Sequence, residues 1–116
     1  MTRHRPTPRF DEVIHAPHRL RICALLAPVD SMEFGAVRDE LGIADSVLSK
    51  QFKVLVEAGF ASTSKAAGGT GRARTWLALT RQGRRAFAGH LEALRDLAAA
   101  AEGASGDETG QTPRPA

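Results

Sequence analysis

Apolar positions follow helical spacing along most of this chain and turn strand-like in one region only. "FDEVIHA", from Phe10, predicts a short helix that stops before Pro17. "PHRLRICALLA" predicts a second helix with proline in its first turn, where the missing N–H costs nothing. Leu20, Ile22, Cys23, Leu25 and Leu26 make it the most apolar helix and place it in the core. "VDSMEF" is too short for a helix and reads as a small strand or an extended link. In "GAVRDELG", Val37 and Leu41 stand four apart ahead of a glycine stop at Gly42, as in a short third helix. "ADSVLSKQFKVLVEAGF" follows, with Leu48, Phe52, Leu55 and Val56 forming one buried stripe before Ala58 and Gly59 end the helix. "FASTSK" and "RTWLAL" have strand composition and flank the glycine-rich "AAGGTGRA", a hairpin. Thr80 is placed to cap a last helix, "RQGRRAFAGHLEALRDLAAA", residues 81–100.

A chain of 116 residues holds one domain of this kind. Residues 1–9 carry three arginines and two prolines and are expected to form a flexible basic arm; residues 101–116, rich in Gly, Pro, Ser and Thr, are expected to be disordered. The folded domain is then 10–100. The net charge of +3 understates an asymmetry. Residues 10–44 carry three basic and six acidic side chains, whereas residues 45–85 carry eight basic and two acidic ones. A one-sided cationic surface suits a polyanion.

That asymmetry gives the two-faced segment a purpose. Its stripe holds the helix to the body, while Ser46, Val47, Ser49, Lys50 and Lys53 mostly point away from the stripe. A helix following a tight turn fits the DNA major groove, where serine and lysine meet base edges or phosphates and valine meets a thymine methyl. The hairpin loop adds Arg72 and Arg74, charges suited to phosphate or to a narrow minor groove.

Three blocks, "HAPHRLRICALLA", "LSKQFKVLVEAGF" and "GRARTWLALTRQG", and the spacing between them carry a family likeness. From about Phe10 to Leu97 the chain resembles the winged-helix transcriptional regulators of the MarR and ArsR groups, particularly the compact bacterial type without a separate ligand domain. The resemblance implies a mostly α fold with a small β-hairpin, a winged helix-turn-helix with N- and C-terminal dimerisation helices. It implies a homodimer bound to double-stranded operator DNA, with repression the common outcome. The last helix is longer than the short helices it has to cover, so Phe10, Val13, Ile14, Phe87, Leu91, Leu94 and Leu97 are expected to form the dimer seam. Relatives usually cap the recognition helix with threonine; Ala44 stands there, so Asp45 or Ser46 is expected to cap instead.

Other classes fit less well. The glycine loop lacks the G-x-x-x-x-G-K-[ST] spacing and opens no helix. His15, His18, Cys23 and His90 lack zinc-ligand spacing, so no metal and no cofactor is expected. No catalytic set is recognisable, which argues against an enzyme. No apolar run is long enough to span a bilayer, and no signal-peptide core follows the charged N-terminus, so a cytoplasmic protein without membrane attachment is expected. The alternatives kept are a winged-helix module for protein–protein interaction and a sensor whose small-molecule effector sits in a pocket at the dimer seam.

Overall fold

The carboxylate of Asp11 opens the first helix by accepting from the N–H groups of Val13 and Ile14, at 2.9 and 3.1 Å. In the computed structural model, which describes residues 5–67 and 73–111, this helix is α1, Glu12–His15. Ala16 separates it from α2, Pro17–Leu26, which has proline in its first turn as expected. A two-residue strand β1, Met32–Glu33, leads directly into α3, Phe34–Leu41. Gly42 ends α3 at φ 65°, a left-handed conformation that side chains with a Cβ rarely adopt. The recognition-helix candidate is α4, Asp45–Glu57. Strands β2, Ala61–Ala67, and β3, Ala73–Leu79, follow, and then α5, Arg81–Gln111.

The three strands form one antiparallel sheet in the order β1-β3-β2. Met32 pairs with Leu77, and the hairpin register runs from Ala61 with Leu79 to Ala67 with Ala73. The short link is therefore a strand that tertiary pairing recruits to the outer edge of β3. Below the sheet, Ile22 and Leu26 of α2, Leu48, Phe52 and Leu55 of α4, and Leu77 of β3 are buried together. Burial also pushes the Cys23 thiol up to about 12, so it stays protonated and packs as a small hydrophobe.

Thr80 caps α5 as the sequence predicts: the Gly83 N–H donates to its Oγ1 at 2.9 Å, while its own hydroxyl donates to the Gly59 carbonyl at 2.7 Å. Both ends of the chain differ from expectation. Helix α5 runs to Gln111 rather than stopping at residue 100. The alanines at 98–101 are the strongest helix formers, and a glycine such as Gly103 weakens a helix by about 1 kcal/mol without breaking it. At the other end, residues 5–9 lie along α5. Arg5 binds Glu92 and Asp96, each at 2.6 Å, and the Arg9 N–H donates to the Gly89 carbonyl at 3.0 Å. Residues 1–4 and 112–116 lie outside the described residues.

The expected seam residues divide into two groups. Ile14 and Phe87 are buried in the chain's own core, which removes them from any seam, and Val13 and Leu91 pack against that core. Helical period alone does not say whether an apolar face meets its own body or another's. Phe10 stacks on His15 and His90 with ring centroids 4.7 Å away and keeps 47% of its surface exposed. Leu94 is half-buried, and Leu97, past the edge of the core, is 64% exposed.

Candidate nucleic-acid interface

Helix α4 is built without a side-chain cap. The Ala44 carbonyl accepts from the N–H groups of Val47 and Leu48 at 3.1 and 3.0 Å, but neither Asp45 nor Ser46 folds back onto the helix end, contrary to expectation. Asp45 is engaged elsewhere. Its Oδ1 accepts from Nη1 of Arg38 on α3 at 3.0 Å, and Nε of the same arginine donates to Asp39 at 2.9 Å. These two carboxylates, Asp39 first, raise the Arg38 guanidinium above its ordinary value.

Ser46, Ser49, Lys50 and Lys53 are exposed, as expected of a face free to meet a partner, whereas Val47 is half-buried. Gln51 is tied down from behind: Arg19 of α2 donates to its Oε1 at 2.7 Å and to the Val13 carbonyl at 2.5 Å. One side chain thus fixes α4 against both N-terminal helices.

The flank of α4 faces the sheet across two adjoining grooves. One, of about 500 Å³, brings Ser49 and Lys53 of α4 beside Thr63 and Lys65 of β2 and Thr75 of β3. The other, of about 650 Å³, is shared by Arg38, Asp45, Arg74 and Thr75. Thr75 and Phe34 line both, so the two grooves adjoin at these residues, with Ser49, Lys53 and Lys65 on one and Asp45 and Arg74 on the other. Arg74 stands exposed near the start of β3, opposite Ala66. Arg72 lies outside the described residues.

Lys65 and the Arg38–Asp45 pair were missed from sequence. Strand alternation held the signal for the lysine, since residues two apart share a face and Lys65 follows Thr63 by two. The Arg38–Asp45 pair gave no such signal, because it joins separate helices across the turn.

A helix after a tight turn, its outer face polar and cationic, beside a hairpin carrying further cations, is the architecture of a winged helix. The chain belongs to the winged helix DNA-binding domain family, whose model matches residues 18–98. Its class is thus that of DNA-binding proteins and not of enzymes. The uncharacterized protein MJ0432 of Methanocaldococcus jannaschii is 30% identical over 86 residues, covering 74% of this chain and 92% of its own length. The fold is similar to that of a transcriptional regulator homologue protein from Pyrococcus horikoshii OT3, with TM-score 0.73, 23% identity, and coverage of 78% of this chain and 88% of that one. It is also similar to NadR, solved in complex with 4-hydroxyphenylacetate, with TM-score 0.64, 22% identity, and coverage of 84% and 68%. No described helix is long and apolar enough to cross a membrane.

Proposed function

We propose that this protein is a sequence-specific transcriptional regulator, acting as a repressor, that binds an inverted-repeat operator in double-stranded DNA as a homodimer. The observation that carries the reading is a pair of adjoining grooves between α4 and the sheet: Ser49 and Lys53 of α4 share one with Lys65, and Arg74 lines the other. Ser46 and Lys50 extend this surface over the outer face of α4. The helix enters the major groove, its serines and lysines reach base edges and phosphates, and the hairpin cations, Arg72 included, hold the flanking backbone.

The second half of α5 supports the dimer reading. From Arg95 to Gly103 every residue is exposed, Leu97 among them, so this part of the helix covers none of the chain's own apolar core. Phe10, Leu94 and Leu97 form the core of the seam in this reading. Twofold symmetry then sets the two α4 helices about 34 Å apart, in successive major grooves on one side of the duplex.

Selection from random duplexes, followed by anisotropy titration of the winning sequence at several salt concentrations, tests the proposal. The expected result is an inverted repeat and an affinity that falls steeply with salt, with a log–log slope of about −0.9 for each phosphate neutralised. Selection without enrichment, together with salt-independent behaviour, would leave a protein-interaction module as the reading.

A further inference from the structure

Asp45 is the single acidic side chain among the groove residues of α4, and its place in the first turn, where a carboxylate gains modestly from the helix dipole, does not account for its pairing with Arg38. It does not cap the helix. Its pairing with Arg38 is solvent-exposed, with 36% of the arginine and 66% of the aspartate side chain accessible, and an exposed pair contributes little to stability. Toward a phosphate backbone a negative charge is unfavourable, and in a helix meant only to grip DNA a neutral residue would serve better. The position is nonetheless a leading one. Asp45 is the first residue of α4, and in helix-turn-helix docking the N-terminal residues of the recognition helix meet the base edges.

The hydrogen bonding is specific too. Arg38 donates to Oδ1 alone, and among the described residues Oδ2 accepts nothing. Arg38 therefore fixes the carboxylate and partly offsets its charge, leaving one oriented acceptor with no donor at the mouth of the groove. An acceptor-only group in the major groove matches an exocyclic amine, and the N4 amine of cytosine is the base edge that a carboxylate recognises.

We propose that Asp45 is a specificity-determining residue that reads one cytosine in each half-site through Oδ2, with Arg38 as its positioning residue. The inference rests on the DNA-binding reading above and adds one base position to it. Because Asp45 is neither a cap nor a core residue, replacing it leaves the fold intact.

The test is selection from random duplexes with the full chain, run in parallel on wild type, Asp45→Asn, Asp45→Ala and Arg38→Ala, each checked for wild-type circular dichroism. Wild type should require C·G at one position of each half-site by roughly tenfold over other pairs. Asp45→Asn keeps the size, but with its oxygen still accepting from Arg38 it presents only the amide donor, so the preference at that one position should move from cytosine to an acceptor edge such as N7 or O6 of guanine. Asp45→Ala should lose preference there and nowhere else, and Arg38→Ala should blur the same position. An identical base profile in wild type and both Asp45 variants, or a loss spread evenly over all positions, would overturn the role of Asp45 while leaving DNA binding standing. Absence of any selected sequence for wild type would instead remove the reading on which it rests.

Discussion

Nδ1 of His15 lies 3.1 Å from Nε2 of His90, and the N–H of Asp11 donates at 2.9 Å to the other nitrogen of the same His90 ring. The second bond settles the first. Since Nδ1 of His90 accepts, its proton sits on Nε2 and is donated to His15, and the bond from the Asp11 N–H holds only while His90 is neutral. Burial, and then the neighbouring His15, lowers the His90 pKa, while Asp11 opposes that shift.

A histidine whose pKa is lower folded than unfolded favours the fold above its unfolded value of about 6.5, and that contribution is lost as pH falls through and below it. The urea midpoint of the wild type should therefore be lower near pH 5.5 than near pH 7.5. His90→Asn retains an acceptor for the Asp11 N–H but does not titrate, so it should be less stable overall with a smaller gap between the two pH values. Working above pH 5 keeps Glu92 out of the comparison, because hydrogen bonding from Arg5 lowers its pKa and its loss belongs to a more acidic window. A wild-type midpoint equal at both pH values would refute the coupling.

At Gly83, α5 approaches the backbone of the rest of the molecule closely. A Cβ added there would lie 1.9 Å from the Phe60 carbonyl oxygen, a backbone atom that itself accepts from the Thr80 N–H at 3.0 Å and has no room to move. Gly83→Ala should destabilise by about 1–3 kcal/mol or more, read from urea unfolding. Gly103→Ala is the control in the same helix: among the described residues nothing outside the helix's own backbone lies within 4 Å of its added Cβ, so removal of a mid-helix glycine should be neutral or stabilising by at most about 1 kcal/mol. Equal effects at the two positions would show that the close approach is unimportant.

Arg84 stitches α5 to the end of α2. Its Nη1 donates to the Ala27 carbonyl at 2.8 Å and Nη2 to that of Val29 at 2.9 Å, covering acceptors that the helix end leaves open. Arg84→Ala should destabilise by about 1.5–3 kcal/mol, the range for hydrogen bonds from a charged group. Arg84→Lys should recover only part of the loss, because an ammonium does not reproduce the planar fork that spans two carbonyls. Chemical denaturation of the three proteins gives the comparison directly, and full recovery by lysine would reduce the role of Arg84 to charge alone.

Much of this architecture was legible because short-range chemistry punctuates it. Pro17, Gly42 and Thr80 each mark a helix boundary by a local rule, and Leu48, Phe52 and Leu55 of the expected stripe fix which side of α4 is buried, although its fourth member, Val56, is 39% exposed. What stayed open or escaped notice depends on contacts between distant parts of the chain. The β1 strand exists only because Met32 and Glu33 find Leu77 and Trp76, and residues 5–9 are held in place because Arg5 meets carboxylates more than 80 positions away. The assignment of Ile14 and Phe87 to a seam failed for a related reason, since an apolar helix face looks the same whether its own core or a second chain covers it. At the candidate interface, the lysines and serines of α4 were readable from the helical period, whereas the engagement of Asp45 by Arg38, in place of a cap, depends on how two helices cross.

Lys65 stands on the sheet beside the outer flank of α4. It pairs with Thr75 across the hairpin, is exposed, and borders the same groove as Lys53. A lysine on a flexible stem reaches a phosphate as a point charge and carries no base preference, so in the DNA-bound state its contribution should be uniform across sequences. Lys65→Ala is therefore expected to weaken binding to every duplex by a similar factor and to make the salt slope shallower by about 1, with the selected base profile unchanged. Lys65→Glu should weaken binding further, because repulsion replaces the lost attraction. Anisotropy titrations over a salt series measure both quantities; a slope that stays at the wild-type value in Lys65→Ala would place this side chain away from the phosphate backbone.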